Sequence, residues 1–247
     1  SFASSDSEDV NAAMRKLDAR VPLGSTDMLG ALRAAEASFE AAATNAKTIV
    51  YIGDGVSRGR LLGSPQLAKL TGDLAGKRIS VSSYAVGPQV NVPLLAALAN
   101  QTGGLIVSDP DNTVTAQQIG SRLAASVRTT VAWPTAVELP AGLLEPLPAN
   151  LPPLRGDRDT VLIGRLGDGD IQTVKVTADV AGQPTQLQWP LQAEAPSDDF
   201  TFLPRLVELA QADGGVSLPT VGSEGLRSVA LTMQNAADEL SRLGEQA

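Results

Sequence analysis

The sequence predicts an α/β fold, with a parallel sheet flanked by helices, followed by a small antiparallel β-sandwich region and C-terminal helices. Over residues 1–131, helical patterns alternate with short β-branched apolar runs joined by short loops, which is typical of a parallel sheet. After Trp133-Pro134 the helical patterns stop and alternating β patterns follow, until two helical patterns close the chain. We therefore divide the chain into an α/β domain (1–131), a β region (132–196) and a helical segment (197–247).

The α/β domain is predicted to contain five helices and three strands. The predicted helices cover residues 8–20, 26–39, 65–75, 93–100 and 114–129, and the predicted strands cover 47–53, 78–86 and 105–107. Thr26 is the expected N-cap of the second helix, because a Thr hydroxyl can accept a hydrogen bond from a first-turn N–H. The run at 47–53 is of buried-strand type and ends abruptly at Gly53-Asp54-Gly55.

The β region is predicted from proline content and period-two patterns. Six prolines between 134 and 153 indicate that 143–154 is an extended connection or edge segment. Strand patterns follow at 160–166, 171–180 and 186–191, and the turns at 167–170 and 181–184 are predicted to join them as hairpins. The closing helices are predicted at 202–211 and 224–243. Arg155-Gly156-Asp157 spells an integrin-recognition tripeptide, which arises so often by chance that we assign it no role.

Composition excludes several classes of function. The net charge of −8 argues against a nucleic-acid partner, because phosphate binding needs clustered Lys and Arg. The chain has no Cys and no His, so neither Ser-His-Asp nor Cys-His catalysis operates on this chain alone. No apolar run reaches the roughly 18–20 residues of a membrane span. The chain lacks an initiator Met and a leader pattern, from which we expect a fragment or a processed product.

Two short segments carry the candidate site. Gly24-Ser25-Thr26-Asp27 opens a predicted helix, and Gly53-Asp54-Gly55 ends a predicted strand. Sites of open α/β sheets form at the carboxyl ends of strands, so the Thr26 hydroxyl and the Asp54 carboxylate are expected to converge there. Oxygen ligands of this kind suit Mg²⁺, Mn²⁺ or Ca²⁺ rather than zinc. The structural alternative is that Thr26 is only an N-cap and Asp54 only a turn residue.

These segments resemble the von Willebrand factor A (VWA) family. Gly24-Ser25-Thr26 and the segment Ile49 to Gly55 look like two of the three pieces of its metal-ion-dependent adhesion site, and Ile79 to Leu105 resembles its later strands and helix. The resemblance implies a Rossmann-like parallel sheet and a divalent cation, Mg²⁺ or else Mn²⁺ or Ca²⁺, bound by Thr26 and Asp54. It also implies that Ser25 and Gly55 contact the ligand, an acidic side chain of a partner protein.

The third piece of the family site, an Asp-x-Ser-x-Ser loop after the first strand, is not found in the chain. The resemblance therefore implies that the family's first two strands lie upstream of Ser1. The segments 151–156 and 161–166 further resemble the β region that follows the VWA domain in inter-alpha-trypsin-inhibitor heavy-chain-like proteins. The compartment stays open, with a preference for the periplasm or cell surface.

Three functions remain as hypotheses. The first is an adhesion-type protein-binding module in which a cation captures a partner carboxylate. The second is a metal-independent scaffold of a larger surface or periplasmic protein, which the missing Asp-x-Ser-x-Ser loop favours. The third is an enzyme, such as a metal-assisted hydrolase using Asp54, and it is the least favoured because the candidate site is poor in acid–base groups.

Overall fold

The computed structural model describes residues 3–21, 26–39, 45–57, 63–109, 113–169 and 172–192, together with 195, 197–198, 201, 203–211, 213–216 and 218. The described α/β part contains five helices and three strands. In chain order these are α1 (Glu8–Asp18), α2 (Met28–Ala37), β1 (Lys47–Gly53), α3 (Ser64–Gly76), β2 (Ile79–Ala85), α4 (Val92–Thr102), β3 (Ile106–Ser108) and α5 (Ala116–Arg128). The α/β fold is thus confirmed.

The three strands form a parallel sheet in the order β1-β2-β3. Gly53 lies opposite Ala85, and Ala85 lies opposite Ser108, so all three strands end at one edge, called here the carboxyl edge. Helices α2, α3 and α4 pack on one face of the sheet, while α5 packs on the other through Ile119 and Leu123. Helices on both faces of a parallel sheet are what βαβ connections produce.

Helix ends are fixed by local hydrogen bonds, and one of them corrects the sequence prediction. The N-cap of α2 is Asp27 and not Thr26, because the Asp27 carboxylate accepts a hydrogen bond from the Gly30 N–H at 2.8 Å. A carboxylate suits this position because it also interacts favourably with the positive end of the helix dipole. Helix α4 is capped by Asn91 and ends at Gly103, whose φ of 71° is the left-handed conformation that favours glycine.

Strand β1 was expected to be of buried-strand type, and this is wrong for one of its faces. Ile49 is buried, but Val50 and Ile52 are 42% and 64% exposed. Helix α2 packs on β1 from the Ile49 side only, and no strand among the described residues pairs with the outer edge of β1. Helix α1, which precedes this part of the chain, has no buried residue.

The described residues of the β region form the strands β4 (Val131–Glu138), β5 (Leu143–Leu147), β6 (Leu154–Arg155), β7 (Ile163–Leu166), β8 (Thr173–Val180) and β9 (Gln183–Pro190). These strands form two antiparallel sheets, of which the first has the strand order β6-β4-β8-β9 and the second pairs β5 with β7. The predicted hairpin at 181–184 is confirmed: Ala181 and Gly182, with φ of 52° and 83°, form the tight turn between β8 and β9.

The hairpin predicted through 167–170 is wrong, because β7 pairs with β5 and not with β8. The Gly167 N–H donates to the Gly142 carbonyl at 2.9 Å, and a Cβ on Gly169 would lie 2.7 Å from the Gly142 nitrogen. This segment therefore packs on the turn at 141–142 instead of folding back along β7. The segment 143–154 is also more than a connection, since it contains β5 and β6.

Strand β4 was not predicted, because Pro134 interrupts its pattern. A register shift between Pro134 and Ala136 accommodates the proline, and the Thr135 hydroxyl donates to the Thr177 carbonyl at 3.1 Å. Proline within a sheet is tolerated at such bulges, where no ladder N–H is needed.

The predicted helix at 202–211 is observed as α6 (Leu203–Gln211), which packs through Leu206 and Ala210 against Leu147 and Ile163. The helix predicted at 224–243 lies outside the described residues. No helix within the described part of the chain is long and apolar enough to cross a membrane.

Candidate functional site

The loop that follows β1 is held from two sides at the carboxyl edge. The Asn91 N–H donates to the Asp54 carbonyl at 2.7 Å, which ties the loop to the start of α4. The Met28 N–H donates to the Ser57 hydroxyl at 3.2 Å, which ties the same loop to the start of α2. The N-termini of two helices and the end of a strand therefore meet where the sequence predicted a site.

The Asp54 side chain has a fixed position within this loop. One carboxylate oxygen, Oδ1, accepts a hydrogen bond from the Val56 N–H at 2.9 Å, which closes a local turn. Gly87, with a φ of 140°, lies against Asp54, and a Cβ there would come within 2.9 Å of the Asp54 Cβ. The second oxygen, Oδ2, makes no hydrogen bond to the residues that the structure describes.

Gly55 is a buried residue of the same loop. Its φ is 72°, and a Cβ at this position would meet the Leu95 side chain at 2.8 Å, so glycine is required for α4 to approach. The Gly55 N–H donates to the Tyr51 hydroxyl at 3.2 Å. Burial raises the pKa of Tyr51, and the nearby Asp54 charge adds to this, while the bond from Gly55 opposes it. The ligand-binding role of Gly55 stays a prediction.

Thr26 is exposed and lies two residues before Met28, next to the Asp54 loop. Its hydroxyl makes no hydrogen bond within the described residues, so the alternative that Thr26 serves only as an N-cap is wrong. Ser25, the other predicted ligand contact here, lies outside the described residues. The structure thus brings the Thr26 and Asp54 loops together and leaves an oxygen of each side chain free of described partners.

Two polar residues of this edge were not predicted from the sequence. Ser57 joins the two loops, and Asp109 follows the end of β3. The Asp109 carboxylate accepts hydrogen bonds from the N–H groups of Val114 at 2.8 Å and Thr113 at 3.1 Å, and these bonds, the Val114 bond first, lower its pKa. Both its oxygens stabilise the loop before α5. The available signal was an Asp directly after an apolar strand, the same signal that singled out Asp54.

The free groups have the chemistry of a hard-cation site. One Asp54 oxygen and the Thr26 hydroxyl are oxygen donors of the kind that Mg²⁺ accepts while keeping several waters. Within the described part of the chain, no group of three His, Cys, Asp or Glu side chains lies close enough to hold a metal. The donor type therefore fits a divalent cation, and further oxygen ligands would have to complete the site.

At the other end of α4, Arg155 of the β region is almost fully buried, with a side chain 1% exposed. It donates to the carbonyls of Gly103 and Ser126, each at 3.0 Å, and its guanidinium pairs with the Asp157 carboxylate at 2.6 and 2.7 Å. These bonds satisfy carbonyls at the ends of α4 and α5. The tripeptide that begins at Arg155 is thus a structural element whose cation is withdrawn from the surface.

Arg158 adds a second link between the β region and α4. It donates to the Gly104 carbonyl and to the Asn100 side-chain oxygen, each at 3.0 Å. Burial, with a contribution from the Arg155 charge, lowers the pKa of Arg158 to about 10, while Asp157 opposes the shift. Helix α4 is therefore fixed at its start by the Asp54 loop and at its end by two arginines.

Comparison with known proteins agrees with this architecture. Residues 1–107 match the family model of the von Willebrand factor type A domain. The α/β part of the chain is thus similar to a VWA-type domain and has a Rossmann-like parallel sheet. No curated protein was found to match the chain.

Among solved structures, the chain resembles a von Willebrand factor type A protein from Catenulispora acidiphila, with 18% identity and a TM-score of 0.52 over 84% of this chain and 58% of that one. It also matches the ArnB paralog VWA2 from Sulfolobus acidocaldarius, with 14% identity and a TM-score of 0.38 over 78% of this chain and 55% of that one. The chain spans less than two thirds of either protein. The first similarity extends beyond residue 107, so the shared fold includes part of the β region.

Proposed function

We propose that the protein is an adhesion-type binding module whose carboxyl edge captures an acidic side chain of a partner protein through a divalent cation. VWA domains generally mediate protein interactions, and the observation that carries the finer proposal is the pairing of the Asp54 and Thr26 loops through Ser57 and Met28. In this proposal Asp54 and Thr26 hold Mg²⁺, or else Mn²⁺ or Ca²⁺, and Ser25 and Gly55 lie next to the partner.

The chemistry is Lewis-acid capture without turnover. The cation supplies a positive charge, and a partner carboxylate completes its coordination as a ligand. The described residues of the loop contribute one free carboxylate oxygen and one hydroxyl, which favours binding over acid–base catalysis. Gly87 and the Asn91 N–H keep Asp54 in place, so its oxygen is preorganised before a cation arrives. The remaining ligands are proposed to come from the family's Asp-x-Ser-x-Ser loop.

The test is calorimetric titration of Mg²⁺ and Mn²⁺ into this chain and into the full-length polypeptide of its gene. Asp54→Asn keeps an oxygen for the Val56 N–H and removes the charge, so it is expected to weaken cation binding at least tenfold, or about 1.4 kcal/mol. Thr26→Ala is expected to weaken binding similarly, and Thr26→Ser to restore it. Asp109→Asn is the matched control at the same edge, because its oxygens are already engaged.

Cation binding that survives Asp54→Asn, or that is lost equally in Asp109→Asn, would refute the cation part of the proposal. Absence of binding in both polypeptides would favour the second candidate, a metal-independent scaffold of a larger surface or periplasmic protein. One observation supports that candidate: the described residues offer no carboxylate cluster at the site. The likeness of the β region to inter-alpha-trypsin-inhibitor heavy-chain-like proteins stays a prediction under either function.

A further inference from the structure

A cleft of about 500 Å³ lies at the opposite end of the parallel sheet from the candidate site, between the sheet and the β8–β9 hairpin. Its walls come from the start of β1, the turn between α3 and β2, the end of α5 and the start of β4. Its size lies within the range of about 300–1,000 Å³ that is usual for small-molecule sites.

The charge of this cleft is opposite to that of the protein. Four cations line it, namely Lys47, Lys77, Arg78 and Arg128, against one carboxylate, Asp179. The chain as a whole carries a net charge of −8. A positive cleft on an acidic protein focuses the electrostatic field on anions.

Two of the four cations already have partners. Lys77 contacts the Glu36 carboxylate at 2.6 Å, and Arg78 contacts Asp179 at 3.2 Å. Lys47 and Arg128 have no acidic partner among the residues that the structure describes. These two cations therefore supply the uncompensated charge of the cleft.

Arg128 lies in the last turn of α5, where its charge is favourable to the helix dipole, but no described hydrogen bond joins Lys47 or Arg128 to the carbonyls at the ends of the adjoining helices. The last carbonyls of α3 accept from the backbone N–H groups of Lys77 and Arg78, while the Ser126 carbonyl of α5 accepts from Arg155. Helix ends are the usual structural reason for a cation at such a position. Here their described hydrogen bonds come from other groups, so Lys47 and Arg128 remain available to a ligand.

The cleft also has an apolar surface and hydroxyl groups. Trp133 of β4 forms part of its lining, and Thr48, Ser80 and Thr130 contribute hydroxyls. An aromatic side chain next to charged groups favours a ligand with an anionic group and a planar or apolar body.

We propose that this cleft binds a small organic anion, in which Lys47 and Arg128 contact a carboxylate or phosphate group and Trp133 contacts the body of the molecule. This site is independent of the cation site at the carboxyl edge. Phosphate and carboxylate share the same recognition by Lys and Arg, and the probes below distinguish them.

The experiment uses the fluorescence of Trp133 as a local reporter. The chain has two tryptophans, so Trp189→Phe leaves Trp133 as the only one. In this background we titrate phenyl phosphate, benzoate, inorganic phosphate and, as a neutral control, benzyl alcohol. We expect saturable fluorescence changes with phenyl phosphate and benzoate, and the tighter-binding of the two identifies the preferred anionic group. Inorganic phosphate is expected to bind more weakly, and benzyl alcohol is expected not to bind.

Lys47→Gln and Arg128→Gln are each expected to weaken binding at least tenfold, while Arg165→Gln, which removes an exposed cation of β7, leaves it unchanged. Raising NaCl from about 0.05 to 0.5 M should also weaken binding by the unsubstituted protein, because the Debye length falls to a few ångströms. Three outcomes would overturn the proposal. They are binding of benzyl alcohol as tight as that of the aromatic anions, binding that is insensitive to both substitutions and to salt, and no binding of either aromatic anion at 10 mM. That concentration is roughly tenfold above a dissociation constant of 1 mM, which is already weak.

Discussion

Replacement of Arg155 by Met provides the sharpest test of how the β region is joined to the α/β domain. The Arg155 side chain is 1% exposed and bridges the Gly103 and Ser126 carbonyls, at the ends of α4 and α5, to the Asp157 carboxylate. Methionine fills much of the same volume and has no donors. The substitution therefore removes these hydrogen bonds with little change in packing.

The expected loss follows from the groups left without partners. Two carbonyls at buried bonds lose their donor, and each such unsatisfied acceptor costs about 1–3 kcal/mol. Methionine also removes the cost of desolvating a charged guanidinium, and this gain offsets part of the loss. Asp157 remains one third exposed and is hydrated. We expect Arg155→Met to lower the free energy of unfolding by about 2–4 kcal/mol.

The assay is equilibrium urea unfolding followed by far-UV circular dichroism, with Arg165→Met as the matched control. Arg165 is 71% exposed and lies 3.8 Å from Glu145, so its replacement should cost less than about 0.5 kcal/mol. Arg155→Lys keeps the charge without the planar fork and is expected to recover less than half of the loss. An Arg155→Met variant as stable as Arg165→Met would refute the assigned role of these bonds.

Two further predictions concern the α/β domain. The hydrogen bond from Lys77, aided by Arg33, lowers the pKa of buried Glu36 although burial opposes it. Its contribution to stability is therefore present above the unfolded pKa of about 4.3 and is lost as the pH falls through the lower folded pKa. Glu36→Gln should cost about 1–2 kcal/mol at pH 7 in urea unfolding, and this cost should shrink as the pH is lowered below the unfolded pKa; a constant difference would contradict the prediction. A Cβ on Gly104 would lie 1.7 Å from the Val81 carbonyl oxygen, so Gly104→Ala should destabilise the protein by about 3 kcal/mol or more and lower its melting temperature. The control is Gly120→Ala, which places a Cβ in open space on α5 and should raise the melting temperature slightly. Equal shifts of the melting temperature in the two variants would show that the backbone at Gly104 yields at no cost.

The elements of the α/β domain were predictable because their signals are local. The strand at 47–53 was predicted with the bounds that β1 has, and Thr102-Gly103-Gly104 correctly marked the end of α4. Each depends on periodicity or on a glycine that adopts a left-handed conformation, and both are properties of a few consecutive residues. The N-cap of α2 was missed by one residue, because Thr26 and Asp27 are both suitable caps and only the bond to Gly30 distinguishes them.

The β region was less predictable because strand pairing is not local. The turn at 181–182 implied its own hairpin, since two residues with positive φ suffice to join two strands. The turn-like sequence at 167–170 gave the same signal, yet β7 pairs with β5 across an intervening segment. Pro134 concealed β4, since a bulge that tolerates proline depends on the partner strand.

The sequence by itself determined the α/β class, the order of its helices and strands, and the two segments of the candidate site, because side-chain periodicity and strand-end residues are written along the chain. Only the tertiary structure decided which polar groups are engaged there: among the described residues, Asp54 uses one carboxylate oxygen in a hydrogen bond, while Asp109, with the same sequence signal, uses both. Only it assembled the cationic cleft, whose Lys47 and Arg128 are 81 positions apart in the chain. Hydrogen-bond partners and electrostatic fields depend on distances in space, which spacing along the sequence does not contain.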